Sequence, residues 1–335
     1  MFNYQEESKY QNKILLFVVA VLSSVIFSCV TTKPVQADVG RIELYPIQST
    51  TLTDQQFLMG EKHGNPVTIS GELRYPRKKM KKYPVIILVH GSGGVSGYID
   101  DWAQVINKLG VAVFILDSFT GRGLYKVNND QSQLGRLAMI VDSYRALDLL
   151  ANHKRIDPKK IALMGFSRGG QVTLYSSMKR FHSLHGSNNE FSGYIAFYPS
   201  CITQYKDDKN IVDKPVRIFH GTADNYNPIA TCRDYVKSLN KEGKDVVLNE
   251  YKNAHHVYDY KKLVKPFVLK KAQTTRSCRL KEVDDGIIVN ERTGKTFTYK
   301  DSCVELGPTI EFNRIAYDKT KKELSSFINT LFKIK

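Results

Sequence analysis

The sequence predicts an α/β fold in which a mainly parallel central sheet is covered by helices on both faces. Two observations predict it. Short apolar runs of strand length alternate with longer segments whose apolar residues recur at helical spacing, the pattern of right-handed βαβ units. One strand-to-helix junction, Ile161-Ala-Leu-Met-Gly-Phe-Ser-Arg-Gly-Gly170, also carries Gly-x-Ser-x-Gly at Gly165, Ser167 and Gly169. That turn lifts a serine hydroxyl out of the sheet, and glycines on either side remove Cβ atoms that would collide there.

Residues 41–60 are irregular and offer at most an edge strand. Residues 67–74 alternate apolar and polar side chains, as a half-exposed strand does. After a lysine-rich turn, Tyr83-Pro-Val-Ile-Ile-Leu-Val-His90 is continuously apolar, as expected of a strand buried on both faces. A glycine-rich loop, His90-Gly-Ser-Gly-Gly94, leads to a helix over 98–109 and a second buried strand over 111–116. Leu137, Ile140, Val141, Tyr144, Leu147 and Leu150 mark a helix within 134–152 that ends before Ile156-Asp-Pro158. The strand over 161–164 enters the serine turn, and a helix is expected over 171–181. Short strands over 194–198, 216–219 and 246–251 follow, with a helix over 229–239 between the last two. Residues 261–312 interrupt the alternation, with a β-hairpin expected around Glu-Arg-Thr-Gly294, and a helix over 316–332 closes the chain. No repeat or low-complexity linker appears, so residues 38–335 read as a single domain with an insertion at about 261–312.

The first 37 residues read as a signal peptide. Lys9 and Lys13 precede an apolar run from Ile14 to Val30, and Val35-Gln-Ala37 suits cleavage after Ala37. A lipobox ending at Cys29 and an uncleaved anchor remain alternatives, and only these would tie the chain to a membrane. All three put the protein outside the cytoplasm, periplasmic or secreted. The formal charge is +16, of which the leader supplies a net +1 from three lysines and two glutamates. The lysines are scattered and no nucleic-acid-binding module appears, so a basic, solvated exterior is expected rather than a nucleic-acid partner. Four cysteines follow the leader, and in an exported chain sequence order favours the disulfides Cys201–Cys232 and Cys278–Cys303, although other pairings stay open. Each would close a loop of roughly 25–30 residues, contributing about 3–4 kcal/mol in the chain-entropy picture. No cysteine pair has a two-residue ligand spacing, so neither a metal nor another cofactor is expected.

A serine hydroxyl needs a base, and the base an orienting acid. Asp224 lies 57 residues after Ser167 and His256 a further 32 on, each on a loop that follows a strand. In an open α/β sheet those loops gather at one rim. Asp224 would hold His256 Nδ1, and His256 Nε2 would take the serine proton. Asp117 and Asp259 are rival acids, and Arg122 and Arg168 are candidate anchors for an anionic acyl group. His90 and His220, at strand ends, read as structural. No Gly-Lys-Ser/Thr follows the glycine loop, which argues against phosphate binding.

At these residues the chain resembles the dienelactone hydrolase family of α/β-hydrolases, particularly its exported bacterial members. The resemblance runs from about Val67 to Tyr258 and rests on six stretches. They are Val-His-Gly-Ser-Gly-Gly (89–94), Asp-Ser-Phe-x-x-Arg-Gly (117–123), Gly-Phe-Ser-Arg-Gly-Gly (165–170), Tyr-Pro-Ser-Cys (198–201), Gly-x-x-Asp (221–224) and Asn-Ala-His-His-Val-Tyr (253–258). It implies the α/β-hydrolase fold, hydrolysis of a small-molecule ester, and the chain order Ser…Asp…His. It selects His256 over His255, leaving His255 as a candidate substrate contact. It also implies an oxyanion hole from the backbone N–H groups of Ser92 and Arg168. The founding enzyme's nucleophile is cysteine, so serine at 167 points to a general ester or acyl hydrolase rather than to the dienelactone substrate. A peptidase of the prolyl-oligopeptidase type shares the elbow and triad order, but about 45 residues between the leader and the first buried strand cannot form that family's propeller. A silent scaffold binding anionic polymer or membrane is the alternative from outside enzymology. No oligomeric state is implied.

Overall fold

The computed structural model describes residues 39–334; the expected leader, its cleavage after Ala37 and the alternative lipidation of Cys29 lie outside the described residues. Seven strands expected from the sequence join an eighth in one sheet. They are β1 (Val39–Thr51), β2 (Asn65–Pro76), β3 (Tyr83–Val89), β4 (Ala112–Asp117), β5 (Ile156–Phe166), β6 (Tyr194–Phe197), β8 (Val216–Gly221) and β9 (Val246–Tyr251), while β7 (Thr203–Gln204) lies outside it. Their spatial order is β1-β2-β4-β3-β5-β6-β8-β9. From β4 to β9 every pairing is parallel, and β1 and β2 form an antiparallel edge.

The continuous apolar runs are explained by two cores, one on each face. On β3, Val85, Ile87 and Val89 face the core that also holds Leu147 and Leu150. Ile86 and Leu88 face the other, which holds Trp102 and Leu324. The helices are α1 (Asp54–Leu58), α2 (Gly97–Lys108), α3 (Ala138–Ala151), α4 (Arg168–Tyr175), α5 (Lys179–His185), α6 (Ile229–Lys241) and α7 (Arg314–Phe332). Buried residues of α3 and α4 pack on the first face and those of α2 and α7 on the second.

Three expectations change. Residues 39–51 form a full strand, hidden from pattern reading because Ile42 and Leu44 point to solvent on the sheet edge. The single helix expected over 171–181 is two, α4 and α5. The break falls at Ser176–Met178, where Met178 bridges to Ile211 and the Ser176 hydroxyl joins its own N–H on the Val172 carbonyl. The hairpin around Gly294 keeps its tight turn, but Ile288–Asn290 takes Leu280–Glu282 as its ladder partner, and that segment runs parallel to β7. The insertion is thereby stitched to the loop after β6. Both expected disulfides are present: Cys201–Cys232 ties that loop to α6, and Cys278–Cys303 closes the insertion.

Arg122 is not an anchor for substrate. Its guanidinium donates to both Asp142 carboxylate oxygens (2.8 and 2.9 Å), Thr51 Oγ1, the Ser118 carbonyl and the Thr50 carbonyl, which uses all five N–H groups. Asp142 is fully buried, so the pair fastens the β4 loop to α3. Arg122→Ala would strand that carboxylate; we expect a loss of about 3–5 kcal/mol in denaturant unfolding, with the ratio of rates on charged and neutral esters unchanged. Three buried histidines, His90, His185 and His220, have pKa values lowered below the ordinary 6.5, burial being the largest cause. The fold holds them neutral, and the unfolded chain takes up protons first as pH falls. Tm should therefore decline progressively below about pH 6.5; a Tm unchanged down to about pH 5 would contradict this.

Candidate active site

Ser167 follows β5 directly and precedes the first residue of α4, with φ 54° and ψ −112°. A non-glycine residue in such a conformation is strained and persists only where its surroundings fix it. Here they do. A Cβ on Gly165 would sit 2.0 Å from the Gly169 carbonyl oxygen, and one on Gly169 would sit 2.2 Å from that of Val89. Only glycines let strand, turn and helix close this tightly. The Ser167 N–H bonds the Phe197 carbonyl on β6, and the Gln171 N–H bonds the Ser167 carbonyl, so both sides of the turn are pinned.

Two other loops reach the same rim. Asp224 lies past the end of β8, where its Oδ1 accepts the N–H groups of Tyr226 and Asn227 at 2.8 and 2.9 Å. Its Oδ2 lies 2.7 Å from His256 Nδ1, and His256 Nε2 lies 2.9 Å from Ser167 Oγ. An ionised carboxylate only accepts, so Nδ1 carries the hydrogen and Nε2 is left to accept the serine O–H. Burial pushes the Asp224 carboxyl upward, but the charge and hydrogen bond of His256, with help from His220 and the Asn227 N–H, outweigh it and hold the pKa below the ordinary value. The imidazole is 1% exposed, flanked by the rings of Tyr198 and Tyr226 with centroids at 4.6 and 4.7 Å.

The rival acids have other work. Asp117 caps the turn after β4 through the N–H groups of Phe119 and Thr120. Asp259 is fully buried and accepts from Trp102 Nε1 at 2.7 Å and from the Tyr198 hydroxyl at 2.9 Å. Burial raises its pKa. Through Tyr198 it braces one side of the imidazole. Sequence reading did not find this bracket; the Tyr198 in Tyr-Pro-Ser-Cys was its one visible trace. His90 is structural, its Nε2 accepting the Ser118 N–H and its Nδ1 donating to the Gly91 carbonyl. His220 Nδ1 lies 3.2 Å from the Gly221 carbonyl.

The glycine-rich loop lies against the serine: a Cβ on Gly91 would come within 3.2 Å of Ser167 Cβ. Ser92 lines the cavity over Ser167, and Arg168, the first residue of α4, follows the serine directly. The Arg168 side chain turns away from the cavity. It is 2% exposed and bonds the Leu134 carbonyl (2.9 Å), the Gln131 amide oxygen (3.0 Å) and Ser92 Oγ (3.3 Å), tying the loop to the helix that begins after the serine. His255 does not line the cavity either; it lies 3.7 Å from Glu311, so its expected contact with substrate is not supported by its position.

The cavity over Ser167 holds about 210 Å³. Tyr98, Tyr198, Tyr226 and Tyr260 line it together with Val257, Leu263, Leu269 and Ile310, and no Lys, Arg, Asp or Glu is among its lining residues. Three of these come from the insertion. Ile310 also bridges to His256, whose carbonyl accepts the Glu311 N–H, so the insertion both walls the cavity and holds the histidine loop. Val257 has φ 59°, a rare conformation for a β-branched residue, and Tyr198 has φ 37°. With Ser167, three strained backbones border one cavity.

The comparisons agree with this architecture. A sequence profile of the dienelactone hydrolase family matches residues 69–276. No curated protein matches the sequence significantly. Among solved structures, a dienelactone hydrolase-like promiscuous phosphotriesterase from metagenomic libraries superposes with a TM-score of 0.56 at 14% identity, covering 87% of this chain and 99% of its own. A protein described as a dienelactone hydrolase from Klebsiella pneumoniae superposes with a TM-score of 0.50 at 15% identity, covering 65% of this chain and 89% of its own. At such identities these neighbours speak to fold alone, while the profile match spans well over half of the sequence: the chain belongs to the dienelactone hydrolase family and is a serine hydrolase of the ester-cleaving kind.

Proposed function

We propose that the protein hydrolyses small, uncharged carboxylic esters through an acyl-enzyme, with Ser167 as nucleophile, His256 as base and Asp224 as the orienting acid. The observation that carries this reading is the hydrogen-bonded series from Asp224 through His256 to Ser167, opening on a cavity with no Lys, Arg, Asp or Glu among its lining residues. His256 Nε2 takes the Ser167 proton as Oγ attacks the ester carbonyl, and the oxyanion is held by the N–H groups of Ser92 and Arg168. As the ester C–O bond breaks, His256 returns the proton to the departing alkoxide, which leaves as the alcohol. Water then repeats the sequence on the acyl-serine: its proton goes to His256, its oxygen joins the acyl carbon, and Ser167 leaves reprotonated as the acid is released.

An ionised acyl group would lose its water in this cavity and find no cation on the walls, at a cost of several kcal/mol. Neutral acyl chains would instead gain contact with Leu263, Leu269, Val257 and Ile310. The leader-like segment and the two disulfides support action outside the cytoplasm, where disulfides persist.

A fluorophosphonate probe should label the wild type and not Ser167→Ala. Ester turnover should fall by on the order of 10⁴–10⁶ in Ser167→Ala and His256→Ala, and by about 10⁴ in Asp224→Asn, with Tm little changed in the serine variant. Absence of labelling in the folded wild type would refute the nucleophile assignment. In a panel of aryl esters, kcat/KM should be higher for short neutral acyl groups than for succinyl or glutaryl monoesters of matched length; the reverse order would refute the proposed substrate class.

A further inference from the structure

A second cavity, of about 330 Å³, is linked to the first through one buried side chain. Tyr205, Ile287, Ile288, Phe297 and Tyr299 give it largely apolar walls, and Arg136 contributes a guanidinium. Every observed partner of that guanidinium is uncharged. Nε donates to the Tyr299 hydroxyl, Nη1 to Gln171 Oε1 at 2.9 Å and Nη2 to Gln131 Oε1 at 3.3 Å, so two of its five N–H groups are unused. The neighbouring Arg168 is likewise bonded only to carbonyls, an amide and a hydroxyl. Among the described residues neither arginine has a carboxylate within ion-pair distance. Asp54 also lines this cavity, but one of its oxygens is engaged at 2.9 Å by the Leu137 N–H and it pairs with neither guanidinium.

Two cations held close together, Arg168 buried and Arg136 half-buried, are costly without a counter-charge. Their mutual effect is visible at Arg168, where burial first, and Arg136 second, bring the pKa down to about 10. An anion entering the cavity would meet Arg136 directly. A bare inorganic ion would leave the Phe297, Ile287 and Ile288 walls unfilled, whereas an apolar group attached to the anion would cover them.

We propose that this cavity is a binding site for a small monocarboxylate with an aromatic or branched apolar body, its carboxylate on Arg136 and its body against Phe297 and Ile288. The site is separate from the Ser167 cavity but not isolated from it. Gln131, 3% exposed, accepts from Arg136, Arg168 and the Ser92 hydroxyl through one oxygen, and its amide nitrogen lies 3.4 Å from the Tyr226 hydroxyl. Ser92 and Tyr226 both border the Ser167 cavity. The ligand class is also that of the acids released under the function proposed above, although binding here does not depend on that function.

The test is calorimetric titration of phenylacetate, which has no ester bond to cleave, into the wild-type protein. We expect saturable binding of one molecule per chain, weakened at least tenfold in Arg136→Gln, and at least tenfold weaker for neutral phenylacetamide. Ile288→Trp, which fills the cavity and leaves Arg136 in place, should abolish binding and decides the matter should Arg136→Gln fail to fold. Failure to saturate below about 10 mM, or binding that survives Ile288→Trp, would overturn the proposal. Failure of the hydrolase reading would appear separately, as unlabelled Ser167 in the wild type.

Discussion

The backbone of Ser167 is the constraint on which the rest depends. Its conformation costs on the order of 1–3 kcal/mol relative to an ordinary turn, and nothing within the turn compensates. Compensation comes from β5 and α4, both buried, which meet so closely that Gly165 and Gly169 have no room for a Cβ. Because β5 lies inside the sheet, between β3 and β6, the strain is held by two neighbouring strands rather than by a loop. The hydroxyl is thereby fixed before any substrate arrives, which is what an attack geometry within a few tenths of an ångström requires.

Parallel strands then do the gathering. Since β3, β5 and β8 run the same way, the Gly91–Gly94 loop, the serine turn and the Asp224 loop all emerge at one rim. The histidine loop is the exception in kind. It follows β9 at the sheet edge, where one flank lacks a strand, and the insertion supplies what the sheet does not. Ile310 pairs with His256, and Asn313 N–H bonds the Tyr258 carbonyl. On the inner side Asp259 holds Tyr198 against the imidazole. The insertion is therefore part of the site's framework as well as its wall.

The charges follow the same logic. Three arginines, Arg122, Arg136 and Arg168, all donate to partners within the fold. Arg122 has a buried carboxylate to itself and is spent on the fold. Arg168 ties the glycine loop to α4. Arg136 alone keeps donors in reserve. An arginine in sequence says only that a cation is present; whether it meets substrate depends on which carboxylate and carbonyl groups the fold brings within reach.

Local pattern was enough for the sheet strands and most helices, because each strand buried on two faces must be apolar throughout and each helix must show its stripe. It was also enough to bring Ser167, Asp224 and the His255–His256 loop to one rim, since the position of a loop after a strand is fixed by sequence and its rim by parallel topology; the choice of His256 over His255 came from the family resemblance. The edge strand 39–51 was legible only as a possibility within 41–60, without its bounds, because a strand with one solvated face and one open side need not alternate cleanly. The ladder partner of Ile288–Asn290, the bracing of His256 by Asp259, and the withdrawal of Arg122 from the cavity were decided only in three dimensions. Each depends on contacts between residues tens of positions apart, and the direction of a side chain in such a contact is set by packing, which no local spacing encodes.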